Sequence, residues 1–115
     1  MKSIFEGEVV HGQKEGRKLG FPTANVEFTG ELDEGVYSGW AVVEGKKYQA
    51  GIMYRNGTTI LEAYILDFSG DIYGKKIEIE VGAKIREVIR FETDKELIEQ
   101  VKKDVELIRN KIQSS

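Results

Sequence analysis

Residues 35–66 read GVYSGWAVV, EG, KKYQAGIMY, RNG and TTILEAYIL, three strand-like runs separated by two turn signals. β-Branched and aromatic residues dominate each run, as a pleated, half-buried surface favours. Glu44-Gly45 forms a two-residue turn between a strand over 35–43 and an antiparallel one over 46–54. Asn56-Gly57 is the stronger hairpin signal, because both residues tolerate positive φ. It leads into a third strand over 58–66. Working outward, residues 4–10 and 24–28 read as a strand and a short extended segment, and the stretch DFSGD makes a turn after Leu66. A long strand over 73–84 follows, in which IEIEV alternates as a half-buried edge does.

The pattern changes at Phe91. Thr93-Asp94-Lys95-Glu96 is a capping box, with Thr93 as N-cap and Glu96 reaching back. Apolar residues then recur at Leu97, Val101, Val105, Ile108 and Ile112, with Ile98 beside them, which gives one helical stripe facing a core. Short strands followed by one terminal helix predict a mainly β fold, a small antiparallel barrel with the helix packed outside. An outer helix also accounts for ILEAYIL, residues 60–66, being apolar on both faces.

Composition narrows the function. A chain of 115 residues is one domain on size, 1–115. With 40% hydrophobic and 32% charged residues it has the balance of an ordinary soluble protein, and a cytoplasmic setting is expected. No apolar run is long enough to span a bilayer, so no membrane association is expected. The absence of cysteine rules out disulfides and thiolate metal sites. A net charge of −3 and sparse basic–aromatic interleaving argue against a nucleic-acid partner, although small Greek-key barrels do host that role.

Two features carry chemistry. GQKEGRKLGFPTAN, residues 12–25, holds three spaced glycines, three cations and the only proline. Successive N–H groups of such a loop can form an anion-binding concavity, reinforced by Lys14, Arg17 and Lys18. Thr23 and Asn25 add neutral oxygens that suit Mg²⁺. The loop is either a Mg²⁺-nucleotide site or a plain surface loop; it is neither a Walker A loop nor a dinucleotide fingerprint. The second feature is Glu62, the one charge inside an apolar strand, on the face of Ile60, Tyr64 and Leu66. A carboxylate so placed is either ion-paired or exposed at an edge, or is raised in pKa by burial and used as a general base. Asp67 and Asp71 fall on a turn, where Asx-type hydrogen bonds are expected. Arg86 and Arg90, between the last strand and the helix, are either solvated charges or reach a phosphate or a flat ring.

Taken in order, GEVVHG, GRKLGFPTAN, GVYSGWAVV, LEAYILDFSGDIYG and IREVIRF followed by a helix closely resemble the riboflavin kinase family of bacterial and eukaryotic type. In bacteria this domain is usually the C-terminal half of a bifunctional FAD synthetase, and the adenylyltransferase half is not expected within 1–115. The resemblance implies a six-stranded Greek-key barrel with a C-terminal helix. It implies transfer of the γ-phosphoryl of ATP to the 5′-hydroxyl of riboflavin, giving FMN and ADP, with Mg²⁺. It assigns Gly12, Gly16, Arg17, Lys18 and Thr23 to the nucleotide phosphates, and Thr23 and Asn25 to the metal. Glu62 becomes the catalytic base, and Asn25, Glu62, Tyr64, Arg86 and Phe91 surround the flavin. The chain departs from the family pattern at GIMYRNGTT, residues 51–59, and at Val88. A monomer is expected, and the alternative function is a barrel that binds flavin or FMN without turnover.

Overall fold

The computed structural model describes residues 3–10, 23–28, 30–68 and 72–113. These form strands β1 (Ser3–Val10), β2 (Thr23–Glu27), β3 (Gly35–Val43), β4 (Lys46–Tyr54), β5 (Ile60–Ile65) and β6 (Lys76–Arg86), then helix α1 (Asp94–Gln113). The strands pair antiparallel in the order β1-β2-β5-β4-β3-β6 and close into a barrel through β6 and β1. Strands β3, β4 and β5 run as successive hairpins and β6 returns beside β3, a Greek key. The expected fold class is therefore the observed one.

Alternation decides the interior. Ala24 and Val26, Ala41 and Val43, Ala50 and Ile52, Leu61, Ala63 and Ile65, and Ile77, Ile79 and Val81 all turn inward. Several are alanines, which is what a narrow barrel can admit. Phe28 packs edge-on against Phe5 at 4.7 Å and against Tyr54 at 5.3 Å, filling the end where β4 finishes. The barrel interior is thus packed with apolar side chains.

A second core lies outside the barrel, where Val101, Val105 and Ile108 of α1 cover Tyr64 and Leu66, with Ile85 and Leu97 at its margin. Fully burying one such aliphatic side chain contributes about 1.5–3 kcal/mol. Thr93 caps the helix as expected, its Oγ1 accepting from the Glu96 N–H at 3.2 Å. Glu96 reaches back to the N–H of Glu92, one residue earlier than a standard capping box requires.

Some local expectations change. Strand β6 is paired on both sides, so its alternation reflects an apolar interior and a solvated exterior, not an edge. Both residues of the Glu44-Gly45 turn take positive φ, 50° and 81°, whereas Gly57 does so alone in the second turn at 84°. That second connection is longer than a two-residue hairpin, because β5 begins at Ile60 and Thr58 folds back onto the Arg55 carbonyl. The Asp67 carboxylate accepts two hydrogen bonds from Arg109, at 2.8 and 3.0 Å, while Asp71 lies outside the described residues.

The β3–β6 ladder slips register twice between Val36 and Gly39, each time with one extra residue on β6, which is the bulged strand there. At Gly39 the neighbouring backbone comes so close that an added methyl would collide with the Glu80 carbonyl oxygen and press on Ile52. Gly39→Ala is therefore predicted to lower unfolding free energy by about 1–3 kcal/mol through overpacking. Chemical denaturation would check this, with Gly45→Ala as a comparison in which the methyl meets open space and only the turn is strained.

Candidate functional site

Strand pairing brings the predicted polar residues together. Asn25 stands directly opposite Glu62 and Thr23 opposite Tyr64 across β2 and β5. Met53 of β4 flanks Glu62 on its other side. Since Ala24, Val26, Leu61 and Ala63 point inward, the two-residue period puts Thr23, Asn25, Glu62 and Tyr64 on the outer wall. Directly opposed residues have Cβ atoms about 4.5–5.5 Å apart, so the amide and carboxylate share one small area.

Burial makes that area unusual. Asn25 is 6% exposed although it lies on an outer face, and Glu62 is half-buried. Thr23 Oγ1 is buried and has no hydrogen-bond partner among the described residues. A buried hydroxyl left unpaired is costly, so it marks a place where a further group belongs. A threonine hydroxyl and an asparagine carbonyl are both neutral oxygen donors, the kind a hard divalent cation accepts. No cluster of three acidic or histidine ligands occurs among the described residues, so a cation here would draw its remaining ligands from substrate or water.

Beyond the end of β4 lies a cavity of about 540 Å³, lined by Glu34, Arg55, Asn56, residues 88–94 and Leu97. Its walls mix apolar surface from Val88, Ile89, Phe91 and Leu97 with the guanidinium groups of Arg55 and Arg90. Glu34, Glu92 and Asp94 add acidic groups, so the lining is more polar than apolar. Glu34 accepts the Asn56 N–H at 2.9 Å, which joins the segment before β3 to the turn after β4.

Of the residues expected around a ring, Phe91 lines this cavity. Asn25, Glu62 and Tyr64 share the outer face of β2 and β5, and Tyr64 and Arg86 both meet Asp104. Arg86 donates to Asp104 through Nε at 2.9 and 3.0 Å and through Nη2 at 2.7 Å. The Tyr64 hydroxyl meets the same carboxylate at 3.5 Å. Tyr64 fits there because Gly51, opposite it on β4, has no side chain; a methyl at Gly51 would strike the tyrosine ring. Gly12, Gly16, Arg17 and Lys18, expected at the phosphates, lie outside the described residues. Sequence reasoning missed Asp104, a 1% exposed acid on the helix's apolar stripe. The signal that singled out Glu62, a lone charge on an apolar face, was present there too.

Comparison with known proteins bears on this arrangement. The family model described as "Flavokinase: Riboflavin kinase" matches residues 2–112. The chain is 39% identical over 120 residues to an "RNA-binding riboflavin kinase RibR" of Bacillus subtilis, covering 96% of this chain and 52% of that protein. Further relatives, from Haemophilus influenzae and B. subtilis, are named bifunctional riboflavin kinase/FMN adenylyltransferases, and the chain covers 35% and 36% of them. It thus spans about a third to a half of the length of these curated relatives. Among solved structures, a riboflavin kinase from Trypanosoma brucei superposes with a TM-score of 0.71 at 29% identity, covering 97% of this chain and 78% of the other. A Streptococcus pneumoniae structure titled a macrolide-efflux protein gives a TM-score of 0.83 at 34% identity, covering 93% of this chain and 38% of the other.

The Tyr64 environment generates a pH prediction. Burial, and after it the Asp104 charge, hold its phenol well above the ordinary 10.0. Unfolded, Tyr64 ionises near that value; folded, it keeps its proton. Its contribution to stability is therefore complete below about pH 10 and is lost as pH rises beyond it. Tyr64→Phe is expected to cost about 0.5–1.5 kcal/mol at neutral pH. It should also flatten the alkaline fall in unfolding free energy, measured by denaturation at several pH values. An equally steep fall in the variant would assign the alkaline sensitivity to other groups.

Proposed function

Because the chain belongs to the riboflavin kinase family, we propose that it transfers the γ-phosphoryl of ATP to the 5′-hydroxyl of riboflavin, forming FMN and ADP. The observation that carries this reading is the pairing of Glu62 with Asn25, two residues along the ladder from Thr23, whose buried hydroxyl has no partner among the described residues.

Phosphoryl transfer asks little covalent chemistry of a protein; it needs positioning, charge neutralisation and an oriented nucleophile. Glu62 accepts the proton of the ribityl hydroxyl as that oxygen forms its bond to the γ-phosphorus, and the bond to the β-γ bridging oxygen breaks to leave ADP. Asn25 orients the ribityl chain beside Glu62. Thr23 and Asn25 would hold Mg²⁺ through their neutral oxygens, and the cation would supply neutralisation of the phosphate charge. Gly12, Gly16, Arg17 and Lys18 cradle the phosphates. Phe91 provides an apolar wall for the flavin ring, in the cavity it shares with Val88 and Leu97.

The proposal extends to a riboflavin kinase unit over 1–115 and to a monomer, and the net charge of −3 supports the reading without a nucleic-acid partner. The RNA binding in one relative's name belongs to that protein, of which this chain covers 52%. No helix among the described residues is long and apolar enough to cross a membrane.

Purified chain incubated with riboflavin and Mg²⁺-ATP should yield FMN, resolved by chromatography with fluorescence detection, and chelation of the metal should abolish it. Glu62→Gln is expected to fold normally and to lose roughly 10²–10⁴-fold in rate, the usual contribution of a general base. An unchanged rate would remove Glu62 from that role. Flavin binding without turnover in the unaltered protein would favour the non-catalytic barrel. Thr23→Val should leave stability nearly unchanged, since no described group loses a partner, but should raise the Mg²⁺ concentration needed for half-maximal rate.

A further inference from the structure

Asp104 sits in the middle of α1 and is 1% exposed. Nothing in the proposed chemistry uses it, yet a buried carboxylate is retained only where it is fully paired. Its oxygens accept from Arg86 Nε and Nη2, from Gln100 Nε2 at 3.1 Å and from the Tyr64 hydroxyl. Each donor leads to a different wall of the site. Arg86 is the last residue of β6, and its Nη1 donates at 2.9 Å to the carbonyl of Glu87, immediately before the cavity-lining segment 88–93. Gln100 lies one helical turn beyond Leu97, which lines the cavity from α1. Tyr64 lies two residues from Glu62, on the same face of β5.

We infer that Asp104 is a positioning residue: through Arg86 it fixes the start of segment 88–93, and it locks that segment, α1 and β5 in the relative placement that ring binding requires. The inference rests on the proposed riboflavin kinase activity for its ligand, though not for its geometry. The fork matters as much as the charge. Two edges of one guanidinium are committed, Nε and Nη2 to Asp104 and Nη1 to the Glu87 carbonyl, so the carboxylate sets the plane in which that carbonyl is held. An asparagine at 104 keeps the shape but loses the charge and one acceptor, and the guanidinium becomes free to rotate out of that plane.

The test compares Asp104→Asn with the unaltered protein. Riboflavin affinity, followed by quenching of flavin fluorescence, should weaken roughly ten-fold, within the range seen for coupling between distant groups. The KM for ATP should stay within about two-fold, and the rate at saturating riboflavin should fall far less than in Glu62→Gln. Arg86→Lys should reproduce the riboflavin defect, and the double variant should be no worse than the worse single one, because both break the same link. Unchanged riboflavin affinity in Asp104→Asn with a lowered melting temperature would overturn the inference, leaving Asp104 a purely structural residue. Additive effects of the two substitutions would overturn it as well. If Asp104→Asn does not fold, Arg86→Lys decides alone: unchanged riboflavin affinity in that variant overturns the link. If the unaltered protein neither binds nor phosphorylates riboflavin, the kinase reading fails separately. The positioning role is then read from backbone order parameters of residues 88–91, which should fall in Asp104→Asn and which overturn the inference if they do not.

Discussion

Closure of the ladder through β6 is the constraint on which the rest of the molecule depends. With β1 on one side and β3 on the other, β6 leaves no open edge, so the backbone polar groups of the barrel wall are satisfied by one another. Closing so few strands leaves an interior wide enough only for side chains. Alanines and branched aliphatics fill it. Ligand chemistry is thereby forced to the outer wall and to the segments that wrap around it.

The outer wall is divided between two uses. Helix α1 covers Tyr64 and Leu66, making a second apolar core that stitches β5 to the segment after β6. One row further along β5, the wall carries Asn25 and Glu62 in place of apolar residues. A single strand thus serves the inner core with Leu61, Ala63 and Ile65, the outer core with Tyr64, and the polar site with Glu62. This is the physical reason for its double-sided hydrophobicity interrupted by one charge.

Much of this was legible in the sequence because it depends on local rules. The bounds of β3 and β4 follow from β propensity and turn residues, and the Thr93 cap from a hydroxyl three residues ahead of a glutamate. Glu62 was visible as a charge in the wrong period. What stayed hidden depends on residues far apart in the chain. The partnership of Arg86 with Asp104, 18 positions away, is a tertiary contact that no propensity encodes. Asp104 went unnoticed although positions 101, 104, 105 and 108 share one stripe. The role of β6 was likewise invisible locally, because an alternating strand looks the same whether it ends a sheet or closes one.

The division between barrel and wrapping segments has a consequence for how such a protein can change. The residues proposed to hold the reacting groups, on β2 and β5, belong to the closed ladder and answer to its register. Much of the cavity wall, at Arg55, Asn56 and 88–93, lies outside any strand. Substitutions there leave the ladder intact. Descendants of such a chain can therefore drift in which ring they prefer while inheriting the same chemistry, and within the unusual GIMYRNGTT segment it is Arg55 and Asn56, beyond the end of β4, that lie where such drift costs the fold least.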